Sequence, residues 1–189
     1  MGNLGLKEIF TRRLPNLHQV TSVYGVIVLF VYGWSIYWFL WQLPSWMHFR
    51  SPKEILITFA YVVAANFFES AITLFAVTLL CFILPQKWFR DQFTSKGVVL
   101  VVVFFASIPK YLQALDEYQA IPPGMLKFVL AGLVGLVLVF YLVGQIGFFR
   151  KLIEDVADRT IIFLYVIFPI SLISLLVVLI RNVVEAFRG

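Results

Sequence analysis

Apolar residues dominate five long runs along the chain, and a proline-rich or charged segment separates each run from the next. About 18 consecutive apolar residues are enough for a helix to cross the hydrocarbon core of a bilayer, which is about 30 Å thick. The pattern therefore predicts five transmembrane helices, with approximate bounds 20–43, 54–84, 98–114, 125–149 and 160–180. The second half of the third run is polar, so a chain with four spans is the main alternative.

The segment before the first run has an amphipathic pattern. Between about residues 4 and 14, Leu6 and Ile9 lie near one side of a helix, whereas Arg12 is available to lipid headgroups. We predict a short interfacial helix that ends near Pro15. The predicted fold is an all-α polytopic integral membrane helix bundle, in which all 189 residues form a single membrane domain.

Composition supports an integral membrane protein. Hydrophobic residues make up 61% of the chain and charged residues 13%, against about half and about a quarter in soluble domains. The net charge is +5, but the basic residues stand at the ends of apolar runs, where they face lipid headgroups. We therefore predict the lipid bilayer as a partner and no binding of nucleic acid. With five spans, nine basic residues fall on the side of the N-terminus and six on the other side, which predicts a cytoplasmic N-terminus.

Signals of catalysis and of metal binding are missing from the sequence. Cys81 is the only cysteine, and His18 and His48 stand at opposite ends of the first run, too far apart to share a metal ion. No metalloprotease helix, phosphate-binding loop or nucleophile elbow occurs. The sequence therefore favours a protein that is not an enzyme, with no catalytic residues, no metal site and no cofactor.

Polar side chains interrupt the second apolar run at a helical spacing. On an α-helix, Thr58, Asn66, Glu69 and Thr73 fall within an arc of about 80°. An ionised carboxylate that faces lipid near the centre of a bilayer costs at least a few kcal/mol. We therefore expect this stripe to face protein.

A basic residue on the third run is predicted to meet this stripe. At about 1.5 Å per residue, Glu69 lies roughly 22 Å and Lys110 roughly 18 Å from the cytoplasmic ends of their spans. Consecutive spans are usually neighbours, so we predict that Lys110 pairs with Glu69. Serines of the first and fifth spans reach a similar depth. The candidate binding residues of this midplane layer are Asn66, Glu69, Thr73, Ser107, Lys110, Ser171 and Ser174.

The same polar layer has a structural alternative. Buried Asn, Ser and Thr side chains commonly hold membrane helices together, and Lys110 is long enough to extend towards the outer surface instead. Glycines add a second contact signal, because small residues let helices approach closely. In the fourth run these glycines are Gly132, Gly135, Gly144 and Gly147.

Two functions follow from these patterns. The sequence favours a non-enzymatic membrane protein, such as a small accessory or structural subunit, that packs against a membrane protein partner or against a second copy of itself. Three features favour this function: catalytic motifs are absent, the loops are short, and the spans contain many aromatic side chains. The alternative is a small transporter or channel that uses Glu69 and Lys110 at the midplane.

Overall fold

Five α-helices account for almost all of the chain that the computed structural model describes, which is residues 15–83, 89, 92–118 and 125–187. The helices are α1 (Leu17–Trp46), α2 (Pro52–Ile83), α3 (Phe93–Tyr118), α4 (Met125–Gln145) and α5 (Gly147–Ala186). No β-strand occurs among these residues, so the predicted all-α fold is confirmed. The predicted interfacial helix at about 4–14 lies outside the described residues.

The start of α2 is fixed by a capping box. The Ser51 backbone N–H donates to Glu54 Oε2 at 2.9 Å, and the Glu54 backbone N–H donates to the Ser51 hydroxyl at 3.4 Å. These two bonds satisfy N–H groups that a helix start otherwise leaves without partners. Pro52 occupies the first helical position, where a missing N–H costs no hydrogen bond. The α1–α2 loop is therefore short and ends at a defined residue.

Three of the helices are long and apolar enough to cross a membrane. They are α1, α2 over Pro52–Cys81, and α5. Within the described residues, α3 and α4 contain shorter apolar stretches, Phe93–Pro109 and Gly132–Gln145. The predicted fourth span extended to residue 149, but α4 ends at Gln145 and α5 begins at Gly147. The charged segment that was predicted as a connector is therefore the first part of α5.

The chain divides into two compact units. The first comprises the described residues up to Val23 together with Val77–Arg159, and the second comprises Tyr24–Ala76 together with the described residues from Thr160 onwards. The helices α3 and α4 belong wholly to the first unit. The other three helices each contribute one part to each unit.

In the first unit, α3 and α4 contact each other. Phe89 and Phe93 are fully buried, and the ring centroid of Phe89 lies 6.1 Å from that of Phe140 on α4. A Cβ atom on Gly144 would lie 3.3 Å from the Gln92 Oε1 atom, so this glycine does permit a close approach. For the other three glycines of this run, no described atom lies within 4 Å of that position, so the described residues show no close contact there.

In the second unit, α1 and α5 run in the same direction. Gly25 lies against Thr160, and the Tyr32 hydroxyl lies 2.7 Å from the Ser171 hydroxyl. Because both contact positions advance together along the two helices, α1 and α5 are parallel. A Cβ atom on Gly25 would lie 2.7 Å from Thr160 Oγ1 and 2.9 Å from the Thr160 carbonyl carbon. Only glycine allows the two helices to approach so closely.

The helix α2 runs antiparallel to α1 in this unit. The Tyr24 hydroxyl lies 3.4 Å from that of Ser70, whereas Phe39, further along α1, packs edge-to-face against Phe59, which lies earlier on α2. The interface is apolar around these contacts, and Val63 is 2% exposed. An apolar interior surrounded by many exposed apolar side chains on α5 is the pattern expected of helices that face lipid or another membrane protein.

Candidate functional site

The interior of the second unit contains three hydrogen bonds between side chains of different helices. Tyr32 and Ser171 are both buried and join α1 to α5, with their hydroxyls 2.7 Å apart. The Ser35 hydroxyl donates to Asn66 Oδ1 at 2.9 Å and joins α1 to α2. The third is the weaker contact between Tyr24 and Ser70. Two of the predicted candidates, Asn66 and Ser171, therefore do lie in the interior of this unit.

These interior groups are mostly satisfied within the protein. The Ser171 hydroxyl donates to the Ile167 carbonyl oxygen at 2.8 Å and the Ser70 hydroxyl to the Phe67 carbonyl oxygen at 3.0 Å. Asn66 is the exception, because its buried Nδ2 atom has no hydrogen-bond partner in the described part of the chain. The predicted candidate Ser174 is also buried. A layer of satisfied hydroxyls holds helices together and leaves little capacity for a ligand.

Glu69 lies on the other flank of α2 and is exposed. It stands near the middle of a helix of 32 residues, roughly 26 Å from Pro52 at 1.5 Å per residue. The predicted stripe of α2 is therefore divided, since Asn66 faces the interior while Glu69 faces outward. The Thr73 hydroxyl donates to the Glu69 carbonyl oxygen at 2.8 Å, which is a bond within the helix.

An exposed strip of α2 surrounds this carboxylate. Ala65, Glu69, Ile72 and Ala76 follow one another at spacings of four, three and four residues, and all four are exposed. We call these four residues the Glu69 strip. No described side chain bonds to the Glu69 carboxylate, and neither of the two cavities described below is lined by it.

The remaining candidates lie on α3, in the first unit. Ser107 is exposed, and its hydroxyl donates to the Phe104 carbonyl oxygen at 2.6 Å. The side chain of Lys110 lies outside the described residues, so its pairing with Glu69 stays a prediction. The polar residues that sequence reasoning had combined into one layer are thus divided between an interior network, an exposed strip and another helix.

Sequence reasoning missed two groups of polar residues. No contact had been predicted for the tyrosines of α1, although the Tyr32 hydroxyl makes the shortest of the three interior bonds between helices. In the first unit, the Ser22 hydroxyl donates to Asp158 Oδ1 at 2.6 Å, and His18 Nδ1 lies 3.9 Å from the same oxygen. No contact had been predicted for Asp158 from the sequence. Its position two residues before the predicted fifth span gave no signal of this contact.

An open groove of about 320 Å³ lies between α1 and α2 in the second unit. Four aromatic side chains form most of its lining, and Ser35 and Gln42 supply its polar groups. The full lining is Trp34, Ser35, Trp38, Phe39, Gln42, Trp46 and Val62. The groove extends from the level of the Ser35–Asn66 bond to the end of α1. Trp and Tyr side chains at a helix end are typical of the membrane interface.

Metal-binding geometry is not found in the described residues, where no three His, Cys, Asp or Glu side chains are grouped. Comparisons of the chain with protein-family models, with curated proteins and with solved structures find no match. The feature of the chain that bears most directly on its function is the exposed carboxylate of Glu69.

Proposed function

We propose that this chain is a non-enzymatic integral membrane protein, an accessory subunit that packs through the Glu69 strip against a helix of a membrane protein partner. The observation that carries the proposal is an exposed carboxylate at the middle of an apolar helix. The helix is long enough to cross a bilayer, so the exposed flank faces either lipid or protein.

Energetics favour protein over lipid as the neighbour of Glu69. Insertion measurements assign about 2.5–3.5 kcal/mol to an ionised carboxylate at the centre of a transmembrane helix. A hydrogen-bond donor on a neighbouring helix removes much of this cost. Ala65 and Ala76 are small, so a partner helix can approach the backbone of α2 on both sides of the carboxylate.

Charge also indicates the chemistry of the partner. A symmetric pair of copies that met through the Glu69 strip would place two carboxylates against each other, which is unfavourable unless they share a proton. A different helix that carries Lys, Arg, Asn, Gln or His at the same depth satisfies Glu69 directly. We therefore assign a partner of different sequence to this strip.

The proposal is tested by site-specific cross-linking in native membranes. In a Cys81→Ala background, a single cysteine replaces Ala65 on the strip or, as a matched control, the exposed Phe75 about 80° further round the same helix. A photoactivatable maleimide is attached to each. We expect a protein adduct of one defined mass from position 65 and not from position 75.

The carboxylate itself is then varied in the cross-linking background. Glu69→Leu should reduce the adduct at least about fivefold, because the donor on the partner helix loses its acceptor, whereas Glu69→Gln should retain most of it. An adduct unaffected by Glu69→Leu, or only lipid adducts at position 65, contradicts the proposal. An adduct of twice the monomer mass identifies self-association instead.

A further variant separates a partner from an internal ion pair. If Glu69 pairs with Lys110 of the same chain, the exchange of the two charges in Glu69→Lys with Lys110→Glu restores the stability that either single change removes. On our proposal the exchange restores neither the stability nor the adduct. If the exchange restores the stability and no adduct forms, the result supports the midplane polar site formed by Glu69 and Lys110. The same result contradicts the proposal that the chain is an accessory subunit.

A further inference from the structure

A second open cavity, of about 440 Å³, lies at the end of the second unit where the α1–α2 loop and the C-terminal part of α5 come together. Its lining is Phe49, Arg50, Glu54, Thr58 and Arg181. The volume falls in the range of about 300–1,000 Å³ that is usual for small-molecule sites. Two guanidinium groups from distant parts of the sequence therefore share one cavity with one carboxylate.

Arg50 is held in place by neighbouring groups but keeps donors available. Its Nη1 donates to the Thr58 hydroxyl at 3.4 Å, and its guanidinium lies 5.1 Å from the ring centroid of Trp46. A guanidinium has five N–H donors, and no other acceptor for them is found among the described residues. The remaining donors of Arg50 are therefore free to bind an anion.

Arg181 is positioned in a similar way from α5. Its Nε donates to Glu185 Oε1 at 2.7 Å, and its guanidinium lies 5.7 Å from the ring centroid of Tyr61. The Tyr61 hydroxyl donates to Asn182 Oδ1 at 2.6 Å, which fixes the ring. Glu185 engages only Nε, so both Nη groups of Arg181 keep their donors within the described part of the chain.

Glu54 gives the cavity a second kind of polar group. Its Oε2 accepts the Ser51 N–H of the capping box, whereas no bond to its Oε1 is found in the described residues. Together with Glu185, it balances the charge of the two arginines. Such a cavity is complementary to a ligand that carries a phosphate and an ammonium group, because each charge meets its opposite.

The cavity lies at the level where lipid headgroups are expected. The helices α1 and α2 have 30 and 32 residues, roughly 45 and 48 Å, and therefore exceed a hydrocarbon core of about 30 Å. The loop between them extends beyond the core at one end. Trp38 and Trp41 are exposed towards the same end of α1, as in the aromatic belt at a membrane interface.

From these observations, the geometry points to a phospholipid headgroup site in this cavity: Arg50 and Arg181 bind the phosphate, and Glu54 faces a primary ammonium group of the same headgroup. Phosphatidylethanolamine has this chemistry. Guanidinium groups suit the task because they bind phosphate oxygens through two parallel N–H donors. The inference is independent of the partner proposed for the Glu69 strip, which lies elsewhere on α2.

Native mass spectrometry of the full chain in detergent micelles tests the inference. The protein is titrated with phosphatidylethanolamine, and the fraction with one bound lipid gives the affinity. We expect the double variant Arg50→Gln with Arg181→Gln to bind about tenfold more weakly than the original chain. The matched control is Arg150→Gln, because Arg150 also pairs with a glutamate four residues later, at 3.4 Å, but lies outside this cavity. Equal thermal unfolding of the variants excludes a folding defect.

Glu54→Gln probes the ammonium group, and it keeps the capping box because glutamine also serves at that position. The variant should lose the preference for phosphatidylethanolamine over phosphatidylglycerol, which carries no ammonium. Equal binding by the double arginine variant and by the control overturns the inference. Free phosphoethanolamine is added as a competitor of the lipid. If it displaces the lipid at an equal concentration, the site binds a soluble ligand and the lipid assignment is overturned.

Discussion

At the scale of single residues, the polar side chains of the second unit act mainly as contacts between helices. Tyr32 with Ser171 and Ser35 with Asn66 form short bonds across the α1 interfaces. In membrane proteins such bonds contribute about 0.6 kcal/mol on average. Asn66 is the least satisfied member, since its Nδ2 is buried without a described partner. It is therefore the residue at which the energetic role of the layer is easiest to measure.

We predict that Ser35→Ala destabilises the protein more than Ser35→Ala combined with Asn66→Leu. The single change leaves a buried amide with neither of its polar atoms bonded, which costs about 1–2 kcal/mol. The second change removes that amide, so about 1 kcal/mol should be regained. Thermal unfolding in micelles, followed by circular dichroism, measures both. A double variant that is less stable than Ser35→Ala would show that Asn66 has another essential partner.

At the scale of helices, close approach depends on which glycine faces a neighbour. The fourth run has four glycines, yet among them only Gly144 lies against a described side chain. Gly25 of α1, which no pattern had singled out, lies against the backbone of Thr160 on α5. The number of glycines in a helix thus says less about its contacts than the face on which each one lies.

We predict opposite effects for the same substitution at two glycines of α1. Gly25→Ala places a Cβ atom within 2.9 Å of the Thr160 backbone, so α1 and α5 must separate, at a cost of about 1–3 kcal/mol. Gly33→Ala meets no atom within 4 Å and should stabilise the helix by about 0.5–1 kcal/mol. Thermal unfolding of the two variants distinguishes them. Equal changes in stability would contradict the close contact between α1 and α5.

At the scale of the whole molecule, the parallel direction of α1 and α5 restricts the number of spans. Two parallel helices that both cross a membrane must be separated by an odd number of crossings. The helix α2 supplies one, so α3 and α4 either both cross or both do not. If α1, α2 and α5 all cross a membrane, the parallel direction of α1 and α5 predicts five spans or three rather than four.

We predict that the α1–α2 loop and the C-terminal end lie on the same, outer side of the membrane. In a Cys81→Ala background, single cysteines at the exposed positions Phe49 and Phe187 should both react with a membrane-impermeant maleimide in intact cells. A single cysteine in place of Gln119 then distinguishes five spans from three. Five spans place this position outside the cell, whereas three spans place it inside. Reaction at only one of positions 49 and 187 would contradict the parallel arrangement.

Much of the helical organisation was determined by the sequence alone. Long apolar runs, prolines and the Ser51 to Glu54 capping signal act over one or two helical turns, so the existence of the helices and the approximate bounds of α1 and α2 follow from neighbouring residues. The end of the fourth run was an exception. Ile146 is as apolar as its neighbours, so the pattern did not separate α4 from α5.

The relation between distant residues was decided only by the tertiary structure. Periodicity placed Asn66 and Glu69 on one stripe, but the packing of α1 against α2 covers Asn66 and leaves Glu69 exposed. The parallel α1 and α5, and the cavity shared by Arg50 and Arg181, depend on contacts between segments more than a hundred residues apart. A sequence pattern fixes the angle of a side chain on its own helix. Which side of the helix becomes buried depends on the shapes of the helices packed against it, and no local sequence signal carries that information.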